Sequence, residues 1–589
     1  MKFCAPILLV LCGVVIAACG GERQDPVPAQ RSIEAVADEY LEAMLERNPE
    51  MGTRFSIAGA RHDDLFDNSP QALVEWQARE DAWLAELNSI GMPANVGSRD
   101  WITYGILHEE LEASKAGRIC RSELWSASAI TAWYGDLPFV FDIQPLDTPE
   151  LREQSLRRLG KVAGYVDIEI ENLRMGLELG YSAPGVTVVA VPGQVRALLA
   201  DDNPFVAMAN RAENEEFELA VREIFDEQIA PAIERFAAFI ETEYLPQARE
   251  DIALSANPDG ASCYPELVRS FATVSLSADE IHSLGLVQIK SIRAEMRSVI
   301  DEHFGGGEIE AFLRNLNIDS RFTFRSEEAV LQYALDALEI VRARMSEVFH
   351  LLPKADVLIK AYPAYRATGT GEYHASSEDG TRPGIFYIAV VDPEHRSRAI
   401  QQSFLYHETY PGHHLQGAIA LELGDRVHPL ARYLWNSGYG EGWALYAERL
   451  ADEMGLYKGP LERMGMLSDQ GARAARLVID TGLHTKGWSR QQAVDYMLDN
   501  TAWPTIDIES DIDRYIAWPG QANSYMLGML EIRRLRTLAE QELGDDFDIR
   551  ELHDRVLENG SVTLPMLKAA ITDWIEKSSA AADQGPNAE

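Results

Sequence analysis

Residues 405–417 read "LYHETYPGHHLQG". The stretch opens like the zinc-binding pattern H-E-x-x-H, in which two imidazoles four residues apart share one helix face and the glutamate stands beside the metal. Position 411, where the second histidine belongs, is Pro411. His413 is six residues past His407, about 240° around an ideal helix, so an undistorted helix cannot bring both rings to one ion. Pro411 lacks an N–H, and its ring clashes with the carbonyl of His407. Gly412 allows backbone angles closed to other residues. Without the Pro-Gly pair the stretch is H-E-T-Y-H. It therefore reads as the usual motif with a two-residue bulge that returns His413 to the face of His407. His414 is the second choice, on the right face of a straight helix but about 10 Å further along its axis. Three of the chain's 13 histidines fall in these eight residues, which weighs against a helix end with surface histidines.

A catalytic zinc site needs three protein ligands and an open position. The segment "NSGYGEGWALYAERLADEMG" (436–455) has helical spacing and offers Glu441, flanked by glycines, and Glu448 two turns later on the same face. Glu441 is the preferred third ligand. Glu448 is the alternative, or the group that orients a ligand histidine from behind. Both could instead be solvated helix carboxylates.

"HETYPGHHLQ" followed by "EGWALYAE" resembles the bacterial family catalogued as domain of unknown function 885, whose members carry H-E-x-x-P-G-H-H-x-Q and E-G-W-A-x-Y-x-E. "RPGIFYIAV" (382–390), "RLVIDTGLHTKGWS" (476–489) and "RYIAWPGQANSYMLG" (514–528) also match, in the same order. That family is in turn similar to helical zinc peptidases of the thimet oligopeptidase and angiotensin-converting enzyme types. The motif calls for one zinc ion, and the resemblance implies peptide hydrolysis, by analogy of fold and site.

On this reading His407, His413 and Glu441 hold the metal. Zinc lowers the pKa of its water, and Glu408 takes the proton and passes it to the leaving amine. The oxyanion needs a further donor; the candidates are Tyr525, His484 and Tyr515, and the resemblance favours Tyr525 with His484. The extended stretch 382–391 would pair with a substrate backbone. Arg382 or Arg514 would hold a peptide C-terminal carboxylate, which would make the enzyme a carboxypeptidase rather than an oligopeptidase. Competing readings are a metal-dependent amidase on murein-derived peptides and a non-catalytic peptide-binding lipoprotein.

The N-terminus sets the compartment. Lys2, a short apolar run and Ile16-Ala17-Ala18-Cys19 resemble a bacterial lipobox, which implies cleavage before Cys19 and acylation of its thiol. Gly20 after the cysteine leans towards the outer membrane, facing the periplasm. Apart from Cys4, Cys12 and Cys19, the chain has only Cys120 and Cys263, which could pair in an oxidising compartment or remain two buried thiols. A formal charge of −40 excludes nucleic acid as a partner, because such binding needs basic surface. Oligomeric state is not readable from these features.

Elsewhere the chain is a succession of amphipathic runs opened by caps such as Ser69-Pro70, Thr148-Pro149 and the capping box Ser277/Glu280. Only 355–393 looks extended, with two β-branched and aromatic runs around a Gly/Ser/Asp-rich stretch. The expectation is a mostly α, two-lobed fold with this small β element lining the cleft. Its parts are a signal peptide (1–19), a tether (20–30), an N-terminal helical lobe (31–275), a catalytic helical lobe (276–578) and a disordered tail (579–589). "ANPDGASCYP" (256–265) marks the break.

Overall fold

The computed structural model describes residues 31–200, 203–362, 371–378 and 380–584; the lipobox with Cys19 and the tether lie outside the described residues. The helices used below are α1 (Ile33–Arg47), α2 (Pro70–Ile90), α3 (Arg99–Gly117), α4 (Pro149–Leu159), α5 (Val162–Leu179), α6 (Gly260–Ala272) and α7 (Ala278–His303). After the sheet come α8 (Arg398–Glu408), α9 (His413–Glu422), α10 (Ser437–Glu453), α11 (Pro460–Thr485), α12 (Thr505–Ala517), α13 (Ser524–Leu543) and α14 (Leu564–Gln584). The protein is mostly helical with one small sheet, as the periodicity predicts. The caps act as expected: Ser69 accepts from the Ala72 amide, Thr148 accepts from Leu151, and Ser277 and Glu280 form a reciprocal capping box. Among the described residues no helix is long and apolar enough to cross a membrane.

Two hydrophobic cores hold these helices, and the division differs from the expected one at 275. The smaller core lies within residues 65–244 and gathers Phe141, Val166, Phe205 and Phe236. The larger takes Tyr40 of α1, Trp83 of α2 and Leu107 of α3 together with α6 to α14. The stretch 256–265 is no break either. Helix α6 starts at Gly260, contains Pro265, and is joined to the end of α3 by a disulfide between Cys120 and Cys263. Closing a loop this long (sequence separation 143) restricts the unfolded chain, an effect of about 4–5 kcal/mol in the chain-entropy model. Helix α14 runs to Gln584, past the expected helical limit at 578.

Helix α11 is the axis of the larger core. It is buried along almost every turn from Glu462 to His484, as expected of a helix packed on all sides. Helices α10 and α13 cross at glycines: a β-carbon on Gly442 would lie 2.5 Å from the Gly528 α-carbon. No side chain fits that crossing, and the close approach seats the first turn of α10, with Glu441, deep in the core.

The sheet has three strands in the order β1 (Val357–Ala361), β3 (Gly384–Ile388), β2 (Gly371–His374). β1 pairs with β3 in parallel, Val357 opposite Gly384, and β2 pairs antiparallel, Gly371 opposite Ile388. The stretch 382–391 therefore cannot add a substrate strand, because β3 is bonded on both sides. The edge strand that reaches the cavity is β2, through Gly371, Glu372 and Tyr373.

Candidate metal centre

Helix α8 ends at Glu408 and a new helix, α9, starts at His413. The Pro-Gly insertion is thus a full break between two helices rather than a bulge within one. Thr409 leaves helical geometry (φ −112°, ψ −111°), the Tyr410–Pro411 peptide is cis, and Gly412 has ψ −131°. Gly412 is obligatory for space: a β-carbon there would lie 1.9 Å from the carbonyl oxygen of His407. The indole Nε1 of Trp443, from the E-G-W-A segment, donates to the Pro411 carbonyl at 2.9 Å and ties α10 to the break.

The break turns His413 onto His407, with ring centroids 4.8 Å apart and planes perpendicular. Glu441, in the first turn of α10, completes the group. Its Oε2 lies 3.5 Å from Nε2 of His407 and 3.3 Å from Nε2 of His413. Ligands about 2.0–2.2 Å from a tetrahedral zinc ion are themselves roughly 3.3–3.5 Å apart, so these separations fit one ion held by all three groups. Glu408 faces the same point; one ligand atom each from His407, Glu408 and His413 lie within 4.8 Å of one another.

Glu448 stands behind the group. His407 Nδ1 donates to Glu448 Oε1 at 2.8 Å, which leaves Nε2 facing Glu441. The carboxylate is fully buried and also accepts from Ser403 and Gln470. His414 is not a ligand. Its Nδ1 meets the Tyr373 hydroxyl at 3.0 Å, and its Nε2 meets Ala355 O and the Tyr410 hydroxyl at 3.2 Å each. Burial pushes this imidazole down to about 4.

Electrostatics follow from burial and crowding. Burial would lower the His407 imidazole, but the carboxylates of Glu441 and Glu448 overcome it and raise it to about 9. Burial would raise the Glu441 carboxyl, yet His413 and His407 hold it well below the usual range. Glu408 is raised, first by burial and then by Glu441, against the pull of the histidines. The carboxylates of Glu408 and Glu441 facing two imidazoles in a buried pocket are a donor set suited to a cation.

The group opens into a cavity of about 1220 Å³ whose wall includes His407, Glu408, His413, Glu441 and Tyr525. Phe55 and Ile130 line it as well, so residues far apart in sequence close it. The Tyr525 ring stacks 6.2 Å from that of His407. Among the other expected residues, Arg514 lines the cavity, but its guanidinium is taken up by Asp511 and Gln521. His484 is not an oxyanion donor. Its Nδ1 accepts from the Leu254 amide, its Nε2 donates to the Tyr515 carbonyl, and it is buried away from the cavity. Tyr515 is fully buried behind Arg476, which donates to its hydroxyl at 2.6 Å, and the hydroxyl in turn donates to Asp511. Arg382 turns away and donates to the Ala375 carbonyl. Sequence reasoning missed Arg473 and Arg476, both on the cavity wall. Their signal was two arginines three apart within the otherwise small and apolar run "GARAARLVI".

Solved structures share this architecture. A candidate lipoprotein from Colwellia psychrerythraea superposes with a TM-score of 0.84 at 27% identity, covering 93% of this chain and 100% of its own. A candidate lipoprotein of unknown function from Shewanella oneidensis has a TM-score of 0.72 at 17% identity, covering 92% of this chain and 100% of its own, a likeness of fold. No curated protein sequence matches the chain. The model of a bacterial protein family of unknown function, DUF885, matches residues 49–571, and the chain belongs to that family.

Proposed function

We propose that the protein is a zinc-dependent peptidase that hydrolyses short peptides at the cell envelope. The observation that carries this reading is the meeting of Glu441 Oε2 with Nε2 of both His407 and His413 at 3.5 and 3.3 Å. A zinc ion held there would supply polarisation of the scissile carbonyl and a lowered pKa for the attacking water. Glu408, next in sequence to His407 and facing the same point, takes the water's proton and delivers it to the leaving amine. Burial and the neighbouring Glu441 keep the Tyr525 phenol protonated, so it donates to the oxyanion. His484 and Tyr515 have no place in this scheme, since their polar atoms are bonded elsewhere. Gly371, Glu372 and Tyr373 of β2 line the cavity that would receive the peptide. The envelope location rests on the lipobox at Cys19 and on the lipoprotein character given for the similar structures.

The test is metal analysis of protein purified without chelator, followed by a screen of short peptides. One zinc per chain and chelator-sensitive hydrolysis are expected. Glu408→Gln should keep the metal and lose hydrolysis by at least about 10²-fold. Protein without zinc, or a Glu408→Gln variant as active as the parent, would overturn the reading.

A further inference from the structure

Two buried guanidiniums on the cavity wall are only partly paired. Arg473 and Arg476, on successive turns of α11, are 4% and 5% exposed. Arg476 donates from Nε to the Tyr515 hydroxyl and from Nη2 to Asp511, while its Nη1 is buried with no hydrogen-bond partner. Arg473 has one ion pair, to Asp469 at 3.3 Å, and its Nε and Nη1 make no hydrogen bond. Trp503 lies beneath both, 5.1 Å from the Arg473 guanidinium and 5.5 Å from that of Arg476, and its indole holds Asp469 at 2.8 Å. A buried donor without an acceptor is costly, and arginine pairs best with a planar carboxylate. Both arginines line the cavity beside Asp469 and Asp511, the carboxylates that pair with them, and the pairing leaves part of each guanidinium without an acceptor.

We propose that Arg473 and Arg476 form the subsite for the free α-carboxylate of a peptide substrate, so that the enzyme removes one or two residues from a C-terminus. This rests on the peptidase reading above. The reach supports it: the Arg476 guanidinium is 4.4 Å from the Tyr525 ring, which is 6.2 Å from the His407 ring. The subsite is therefore within about 11 Å of the ligand imidazole, and an extended chain advances roughly 3.3–3.6 Å per residue. A carboxylate at that distance belongs to the first or second residue beyond the cleaved bond. Of the two arginines expected in this role, Arg514 has its donors committed to Asp511 and Gln521, and Arg382 donates to the Ala375 carbonyl.

The experiment compares the full-length protein on one peptide sequence as its free acid and as its C-terminal amide. The acid should be cleaved with a kcat/KM roughly 10- to 100-fold higher, as for a lost charge-assisted contact, always one or two residues from the end. In Arg476→Gln and Arg473→Gln the ratio of acid to amide should collapse towards one, with Arg476→Lys retaining part of it. The ratio in the unsubstituted protein needs no variant to fold. Chelator-sensitive hydrolysis that is equal for acid and amide, or cuts away from the C-terminus, overturns the subsite and leaves the peptidase reading standing. If no peptide is hydrolysed, the peptidase reading fails, and calorimetry with the same two peptides decides the subsite. Tighter binding of the acid that is lost in Arg476→Gln upholds it, and equal binding overturns it.

Discussion

Nδ1 of His407 donates to Glu448 Oε1 at 2.8 Å, and Glu448 is fully buried. This one contact settles a choice between two carboxylates on a single helix face. Glu448 cannot approach the Nε2 side of His407, and Glu441 stands 3.5 Å from it. The first glutamate of E-G-W-A-L-Y-A-E thus faces the candidate metal position, and the last fixes the orientation of the His407 imidazole.

Glu448→Gln should therefore weaken zinc without abolishing it, by about 10- to 100-fold in affinity. Glu441→Gln should leave no stoichiometric zinc. Competition against a chromophoric chelator measures both, and a Glu448→Gln affinity equal to the parent's would remove Glu448 from the site.

The neighbouring histidines should separate cleanly. His413→Ala should lose the metal, and its unfolding midpoint should lie close to that of the parent stripped of metal by a chelator. His414→Ala should keep the metal and lose about 1–3 kcal/mol of stability, because it strips partners from buried groups around Tyr373 and Ala355. Metal content and urea melts on both variants check this; the reverse pattern would exchange their roles.

His553 gives a pH signature away from the site. It donates from Nδ1 to the Val348 carbonyl and accepts at Nε2 from the Tyr446 hydroxyl, each at 2.8 Å. Burial first, and the Arg536 charge besides, push its imidazole down to about 3. The folded state thus resists a proton that the unfolded chain accepts below its ordinary 6.5. The stabilisation is complete above that value and is lost as pH falls from it towards about 3, by up to about 1.4 kcal/mol per pH unit. Urea midpoints at pH 7 and 5 should diverge in the parent and less so in His553→Gln. Equal divergence in the two would show that other groups carry the acid loss.

The helical class, the caps at Ser69, Thr148 and Ser277, and the extended region at 355–393 were legible because each depends on residues close in sequence. So was the grouping of His407, Glu408 and His413, since a proline and a glycine between two histidines announce a backbone that cannot stay helical. Their geometry was not legible. A sequence indicates that a helix is interrupted, but whether it bulges or ends depends on what packs against the break, here Gly412 on the His407 carbonyl and Trp443 on Pro411. The arginines and the tyrosine–histidine pair show the same limit. Arg382, Arg476, Arg514, His484 and Tyr515 are all polar residues in matching motifs, and nothing local distinguishes a side chain facing the cavity from one bonded behind it.

By itself the sequence determined which residue types were available to hold a cation and that most of the chain is helix, because periodicity, caps and breakers act over a few residues. Tertiary structure alone decided which of two histidines and which of two glutamates meet, that β2 rather than β3 edges the cavity, and that the N-terminal helices belong to the larger core. Each of those outcomes is fixed by contacts between segments tens to hundreds of residues apart, where burial and hydrogen-bond satisfaction override local preference.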